Sequence, residues 1–376
     1  YSDASISNKY FPSVNVRHIQ RNCTLSALQC ILSGAGIYRS LTSHAIQRSP
    51  DIHTNRALNG DIGHDMNRPL LPLNRLVVFS ALFVATVYAD CPLVKDADIA
   101  PCVCLTNQIR CEGQTVTDAV LQAVLAKVDK ARPKYLKEFE GLELYNTKVT
   151  KITTEIFGNL ILKTYVKFNN NPITSISLGN FPDLVLLDAA NNKLSTISSS
   201  LFFGLKSLRY INLGGNEIVD FPKDTFALSD NLQRLDLSGN KIKRLNSDEF
   251  SSEYHNNIEL QEIDLSNNEL EYLPENIFWP LRRPLKINLA NNKLAKGIDV
   301  NALSFGEDLI QYEPIKLVLS NNGFKDSDLT DATFEPIVRQ KLAIDLDLSD
   351  NAITAASDKV LDKLRKANPR TVITTK

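Results

Sequence analysis

A leucine pattern that ends in asparagine constrains the fold of this chain more than any other feature. The pattern is L-x-x-L-x-L-x-x-N-x-L, with Ile accepted for Leu, and its copies occupy residues 208–218, 232–242, 260–270 and, with Ala189 for the third Leu, 184–194. A degenerate copy near Leu142 and Leu144 has Thr147 in place of asparagine. The template asparagines are Asn171, Asn192, Asn216, Asn240, Asn268, Asn292, Asn322 and Asn351. Such periodic copies predict about nine stacked turns of a solenoid.

The pattern predicts an α/β leucine-rich-repeat solenoid with a curved, parallel inner sheet. Each L-x-L is a short strand whose residues alternate between the core and solvent. We call the solvent-facing surface of this sheet the concave face. The asparagine side chains turn inward and satisfy backbone groups that would otherwise be buried without partners, so we interpret them as structural. Later apolar residues of each turn, such as Leu201 and Phe203, are expected in the core.

Residues 66–89 have the pattern of a secretory signal peptide. Met66 precedes a stretch with Arg68 and Arg75, and a short apolar run then ends at Ala89. The run is too short to span a bilayer, which takes about 20 apolar residues. A buried core helix is the alternative interpretation.

Residues 1–65 precede this methionine and show no sustained strand or helix period. We interpret them as an untranslated leader or a disordered extension; a real N-terminal domain is the alternative. Residues 90–376 carry 34 Lys and Arg against 39 Asp and Glu. This acidic balance argues against nucleic-acid binding, for which a basic stripe is expected. We expect a secreted, extracellular product with no membrane span after signal removal.

Four clustered cysteines follow the predicted signal peptide: Cys91, Cys102, Cys104 and Cys111. An even number in a secreted chain predicts disulfides, and spacing alone does not choose among their pairings. Zinc is the alternative, but its usual Cys-x2-Cys pairs are missing. An amphipathic helix over residues 117–129 follows. We therefore expect a disulfide-stapled N-terminal cap over residues 90–135.

The repeats are predicted over residues 136–355, and a helical C-terminal cap over residues 356–376. In this cap, Val360, Leu361, Leu364 and Ala367 share one face of a predicted helix. Residues 371–375 are expected to add a last strand. These boundaries complete the predicted domain organisation.

The side chains at the outward positions of the strands predict a binding face. Its predicted partner-binding residues are Tyr145, Tyr165, Lys167, Asp188, Tyr210, Asn212, Arg234, Asp236, Glu262 and Asp264. Tyrosine and arginine supply much of the energy of protein interfaces. The aspartates form an acidic stripe whose repulsion a basic partner or a cation would relieve. A solvated polar face and a calcium site are the alternatives, although no loop supplies the six to eight oxygens that calcium prefers.

Nothing in the sequence singles out a catalytic, cofactor or metal site. His255 is the only histidine after residue 89 and lies in a polar loop. Glycine-rich phosphate loops, His-x-x-x-His pairs and dinucleotide fingerprints are missing from the sequence. Carboxylates are abundant, but no pair stands out. We predict that the chain is not an enzyme and takes no cofactor.

The segment CPLVKDADIAPCVCL, from Cys91 to Leu105, is followed by Cys111. It resembles the N-terminus of secreted arthropod leucine-rich-repeat proteins similar to the oplophorus-luciferin 2-monooxygenase non-catalytic subunit. The resemblance covers the cap well and the repeats loosely. It implies a non-catalytic chain that associates with a separate catalytic chain, and the pairings Cys91–Cys104 and Cys102–Cys111. The chain departs from the usual repeat pattern in having no C-terminal cysteine cap.

We therefore predict a secreted, non-catalytic binding module or accessory subunit. It would engage a protein partner through the concave face. The alternative is an adhesion or innate-recognition ectodomain whose membrane anchor is missing from this chain.

Overall fold

The computed structural model describes residues 95–131, 137–198, 200–222, 225–226, 229–250 and 259–376. All of them belong to the second of the two units into which the chain divides, Leu71–Lys376. The predicted leader and signal peptide lie outside the described residues, as do Cys91 and His255.

A twelve-stranded sheet runs through the described residues. In spatial order its strands are β1 (Cys102–Leu105), β2 (Gln108–Glu112), β3 (Glu138–Tyr145), β5 (Ile161–Lys167), β7 (Leu186–Asp188), β8 (Tyr210–Asn212), β9 (Arg234–Asp236), β10 (Glu262–Asp264), β11 (Lys286–Asn288), β12 (Ile315–Val318), β13 (Ile344–Asp347) and β14 (Val372–Thr374), while β4 (Lys151–Ile152) and β6 (Ser175–Ile176) form a separate parallel pair. Only β1 and β2 pair antiparallel among these strands; the other neighbours are parallel. The predicted parallel sheet is confirmed.

Each short strand keeps the alternation of the leucine pattern. In β8, Ile211 is 2% exposed, whereas Tyr210 and Asn212 on either side are half-buried. The chain returns to the next strand through turns and short helices. The helices are α1 (Asp96–Ile99), α2 (Asp118–Ala131), α3 (Asp331–Arg339) and α4 (Asp358–Ala367), and the 3-10 turns are Thr154–Phe157, Leu294–Lys296, Asp326–Asp328 and Ala355–Ser357.

The template asparagines form a hydrogen-bonded ladder inside the solenoid. Asn216 Nδ2 donates to the carbonyls of Ala189 (3.0 Å) and Leu213 (2.8 Å), and its Oδ1 accepts from Leu194 N (3.1 Å). One carbonyl belongs to its own turn, and the other two groups belong to the preceding turn. The other template asparagines repeat this arrangement. Their predicted structural role is confirmed.

The core between the sheet and the outer turns is apolar, with one exception to the sequence prediction. Phe203 was expected inside but is 73% exposed, whereas its neighbour Phe202 is 1% exposed. The ring of Phe202 lies 5.5 Å from that of Phe226 in the next turn. Only one of these two adjacent residues faces inward, and packing against Phe226 places Phe202 in the core.

The N-terminal end of the solenoid is closed by the β1–β2 hairpin and α2. A disulfide joins Cys102 to Cys111, the pair that the resemblance implies. Cys104 is also disulfide-bonded, and its expected partner, Cys91, lies outside the described residues. The inner face of α2 is buried, and Asp118 at its start accepts hydrogen bonds from the main chain (2.7 Å) and side chain (2.6 Å) of Thr150. These contacts tie the helix to the first repeat.

The C-terminal end has the predicted helix and last strand. Leu361 and Leu364 of α4 are each 1% exposed, and Val360 packs against the core at the edge of the same face. Strand β14 then pairs parallel with β13. Both elements cover the last turns without a cysteine.

Candidate binding face of the inner sheet

The sheet register places the predicted partner-binding residues on one surface. We call Gly141, Tyr165, Leu186, Tyr210, Arg234 and Glu262 the tyrosine row, because each is the register partner of the next. We call Glu143, Lys167, Asp188, Asn212, Asp236, Asp264 and Asn288 the carboxylate row, for the same reason. Tyr145 ends β3 beside them. The ten residues nominated from the sequence are all half-buried.

Tyr165 lies flat over Gly141. A Cβ atom at Gly141 would come within 2.4 Å of the Tyr165 ring, a separation that side chains do not tolerate. Glycine at this position therefore gives the ring its place on the sheet, and the ring can lie against the backbone of the neighbouring strand.

A cation covers each tyrosine of this face. The guanidinium carbon of Arg110 is 4.6 Å from the centre of the Tyr145 ring, and that of Arg234 is 5.8 Å from the Tyr210 ring. Lys167 Nζ is 4.6 Å from the Tyr165 ring. These are cation–π distances, and the contacts restrict the rotation of long side chains. Sequence reasoning missed Arg110 because it lies in the cap, before the first repeat.

Glu143 links this cluster electrostatically. Its carboxylate lies 3.3 Å from Lys167 Nζ. Burial, together with the nearby charge of Glu143, raises the pKa of Tyr145 to about 12. The same causes raise the pKa of Tyr165. Both phenols therefore stay protonated beside the Glu143 carboxylate. The sequence pattern put Glu143 on the face but gave no sign of this role.

The carboxylate row is partly a structural feature. The Oδ1 atoms of Asp188, Asn212, Asp236 and Asp264 each accept the main-chain N–H two residues later, at 3.2, 3.1, 2.9 and 3.0 Å. This is the Asx turn, in which the side chain replaces a missing backbone partner. One oxygen of each side chain therefore ends the strand, and the second carboxylate oxygen of each aspartate, or the amide nitrogen of Asn212, remains for further contacts.

The charges of the row are unevenly compensated. Asp264 Oδ2 accepts from Asn288 Nδ2 (2.8 Å) and lies 3.9 Å from Lys286 Nζ. Asp188 and Asp236 have no ion pair among the described residues. Burial raises the pKa of Asp188, to which the charge of Asp236 also contributes, despite the nearby Lys167. The predicted acidic stripe is thus concentrated at these two side chains.

One outward position departs from the expected alternation. Val318 falls at an outward position of β12, yet it is 8% exposed. Its register partners are Asn288 and Asp347. A short apolar side chain between two longer ones is screened from solvent, so alternation alone overstates its exposure.

A second asparagine row was not anticipated. The residue before most template asparagines has a positive φ, as at Asn191 (54°), Gly215 (66°) and Gly239 (63°). This left-handed region is tolerated best by glycine and asparagine. Exposed asparagines here bond to one another, as in Asn191 Nδ2 to Asn170 Oδ1 (3.1 Å). The Asn-Asn and Gly-Asn pairs in the sequence are the signal that could have revealed it.

Two grooves of the described residues lie in the outer turns. One of about 340 Å³ is lined by residues such as Ile176, Ile197 and Pro222, and another of about 290 Å³ adjoins Trp279. Within the described residues, no cluster of three or more His, Cys, Asp or Glu could hold a metal ion. Among the helices of that same part of the chain, none has the length and apolarity required to cross a membrane.

Comparisons with known proteins agree with the repeats. The chain matches the family models described as "Leucine rich repeat" over residues 184–242 and "Leucine Rich Repeat" over residues 259–281. No curated protein matches it. Among solved structures, a chain of the Toll–Spatzle complex of Drosophila is similar, with 23% identity and a TM-score of 0.44. The match covers 62% of this chain and 33% of that one, so this chain spans about a third of its length.

Proposed function

We propose that this leucine-rich-repeat protein is a secreted, non-catalytic binding module or accessory subunit that holds a protein partner on its concave face. The observation that supports this most is the preset arrangement of Tyr145, Tyr165 and Tyr210. Each ring has a cation over it, and one of these cations, Lys167, is paired with Glu143. Side chains that are fixed before binding lose less entropy when a partner arrives.

A secreted role is supported by the disulfide at the cap. Disulfides persist in oxidising compartments and are rare in the cytosol. The signal-peptide pattern of residues 66–89 agrees with this interpretation. The accessory role, in which a separate chain supplies catalysis, is suggested by the resemblance of the segment from Cys91 to Leu105. The partner would then be a protein on the tyrosine and carboxylate rows.

Affinity purification from extracellular fluid, followed by mass spectrometry, tests this proposal. The wild-type chain is compared with a double variant, Tyr145→Ala with Tyr210→Ala, and with a control, Tyr312→Ala. Tyr312 is 74% exposed and lies outside both rows. Loss of a central interface tyrosine typically costs about 2 kcal/mol or more, so recovery of the partner should fall about thirtyfold or further.

The control should recover the partner as the wild type does. Circular dichroism establishes that the double variant is folded. Equal recovery of one partner by all three proteins would exclude the concave face as its site.

A further inference from the structure

The N-terminal end of the concave face carries an apolar stripe made by Tyr165, Leu186 and Tyr210. The sheet register brings the three side chains side by side on β5, β7 and β8. Neighbouring strands lie about 4.8 Å apart, so the three side chains form one continuous surface. All are half-buried, and Lys167 and Arg234 lie over the two rings. No further described element lies over the stripe, so Leu186 between the rings is the part of this sheet face that is open to a partner.

Uncompensated negative charge lies beside this stripe. Asp188 and Asp236 each use Oδ1 to end a strand, and neither has an ion pair among the described residues. The cations of the same surface are already engaged: Lys167 with Glu143 (3.3 Å) and Arg234 with Glu262 (3.2 Å). The charge that complements this part of the face is positive.

The distance between the two features defines the shape of the occupant. The tyrosine row and the carboxylate row are two residues apart along each strand, which is about 7 Å. Side chains two residues apart on an extended segment project to the same side at the same separation. An extended segment aligned with the strands can therefore place one side chain on the stripe and the next on the carboxylates.

We propose that the partner docks an extended segment bearing an apolar side chain and, two residues away, a lysine or arginine. The apolar side chain packs on Leu186 between the rings of Tyr165 and Tyr210. The basic side chain lies beside Asp188, two residues from Leu186 on the same strand, and extends over Asn212 toward the carboxylate of Asp236. This inference rests on the proposed function, because it assigns the chemistry of the partner on the same face.

Selection from a random peptide library displayed on phage tests the inference without knowledge of the partner. The wild-type chain should enrich peptides with an apolar residue two positions from Lys or Arg. The double variant Asp188→Asn with Asp236→Asn should keep the apolar preference and lose the basic one. Asparagine retains the Oδ1 that ends the strand, as Asn212 does naturally (3.1 Å to Gly214 N), so these variants should fold.

The matched control is Asp345→Asn with Asp347→Asn, at the other end of the same face. It should select the same peptides as the wild type. A selected peptide should bind the Asp188 and Asp236 variant about tenfold more weakly, as expected when a charge-assisted contact is lost. Raising the salt concentration should weaken wild-type binding and leave binding to the variant nearly unchanged.

The outcomes separate this inference from the function on which it rests. Enrichment of acidic or purely apolar peptides, or of the same basic peptides by both carboxylate variants, overturns the assignment of a basic segment. If the selected peptides bind the Tyr145 and Tyr210 double variant and a Leu186→Ser variant as tightly as they bind the wild type, the concave face is not their site. The proposed function then fails as well. Selection of no peptide at all also overturns the inference.

Discussion

The two ends of the concave face have the same backbone structure but carry different outward side chains. From β2 to β9, three tyrosines each have a cation over the ring, and Glu143 pairs with one of those cations. From β10 to β13, the outward positions carry no aromatic residue, and charges such as Asp264 and Lys286 face each other. The buried asparagines are the same at both ends. The solenoid is therefore a uniform scaffold, and the two ends differ in their outward residues alone.

The largest effect is expected from breaking the shared scaffold. Asn192→Ala removes bonds to the carbonyls of Phe168 and Ala189 (both 2.9 Å), and Asn292→Ala removes those to Leu265 and Leu289 (both 3.0 Å). Buried groups left without partners cost about 1–3 kcal/mol each, so each variant should lose about 3 kcal/mol or more of unfolding free energy. Urea denaturation measures both.

The two losses of unfolding free energy should agree to within about 1 kcal/mol, because each variant leaves the same kinds of backbone group without a hydrogen-bond partner. A large loss for one variant and a negligible loss for the other would show that the scaffold is not uniform. The denaturant slope should be compared as well, since long repeat arrays can unfold in more than one step.

An intermediate effect is expected from alkali at the tyrosine end. The pKa of Tyr145 is raised from 10.0 to about 12, so the folded state holds the phenol proton more tightly than the unfolded chain does. The stability that this provides is complete below pH 10.0 and is lost as the pH approaches about 12. Tyr145→Phe should therefore reduce the fall of the melting temperature over this range.

Tyr312→Phe is the control, since that side chain is 74% exposed and outside the cluster. It should melt as the wild type does at each pH. Identical alkaline curves for Tyr145→Phe and the wild type would argue that Glu143 and burial do not hold the phenol proton.

The smallest effect is expected from the ion pairs at the charged end. Lys286 Nζ is 3.9 Å from Asp264 Oδ2, and its side chain is 41% exposed. A double-mutant cycle with Lys286→Met and Asp264→Asn should give a coupling energy below about 1 kcal/mol, because solvent screens such pairs. Thermal unfolding of the four proteins measures it. A coupling of several kcal/mol would mean that this end is also rigid.

The sequence predicts the scaffold far better than the site. The spacing of leucines and asparagines predicts the strands, their register and the role of Asn216, because each depends on one repeated local rule. Side-chain contacts between turns other than the asparagine ladder follow no such rule. Which of Phe202 and Phe203 faces inward depends on Phe226, and the importance of Glu143 depends on Tyr145 of its own strand and on Tyr165 and Lys167 of the next strand. Arg110 reaches Tyr145 from outside the repeats altogether.

The direction of the asparagine ladder has a consequence for synthesis. Each amide reaches back to the coil before it, as Asn216 does to Ala189 and Leu194, so every coil is completed by the one that follows. A chain emerging from the ribosome can therefore add coils in order onto a finished N-terminal base. At each stage only the newest coil lacks the asparagine amide that bonds to its backbone. The number of coils already formed does not change how many backbone groups are without a partner.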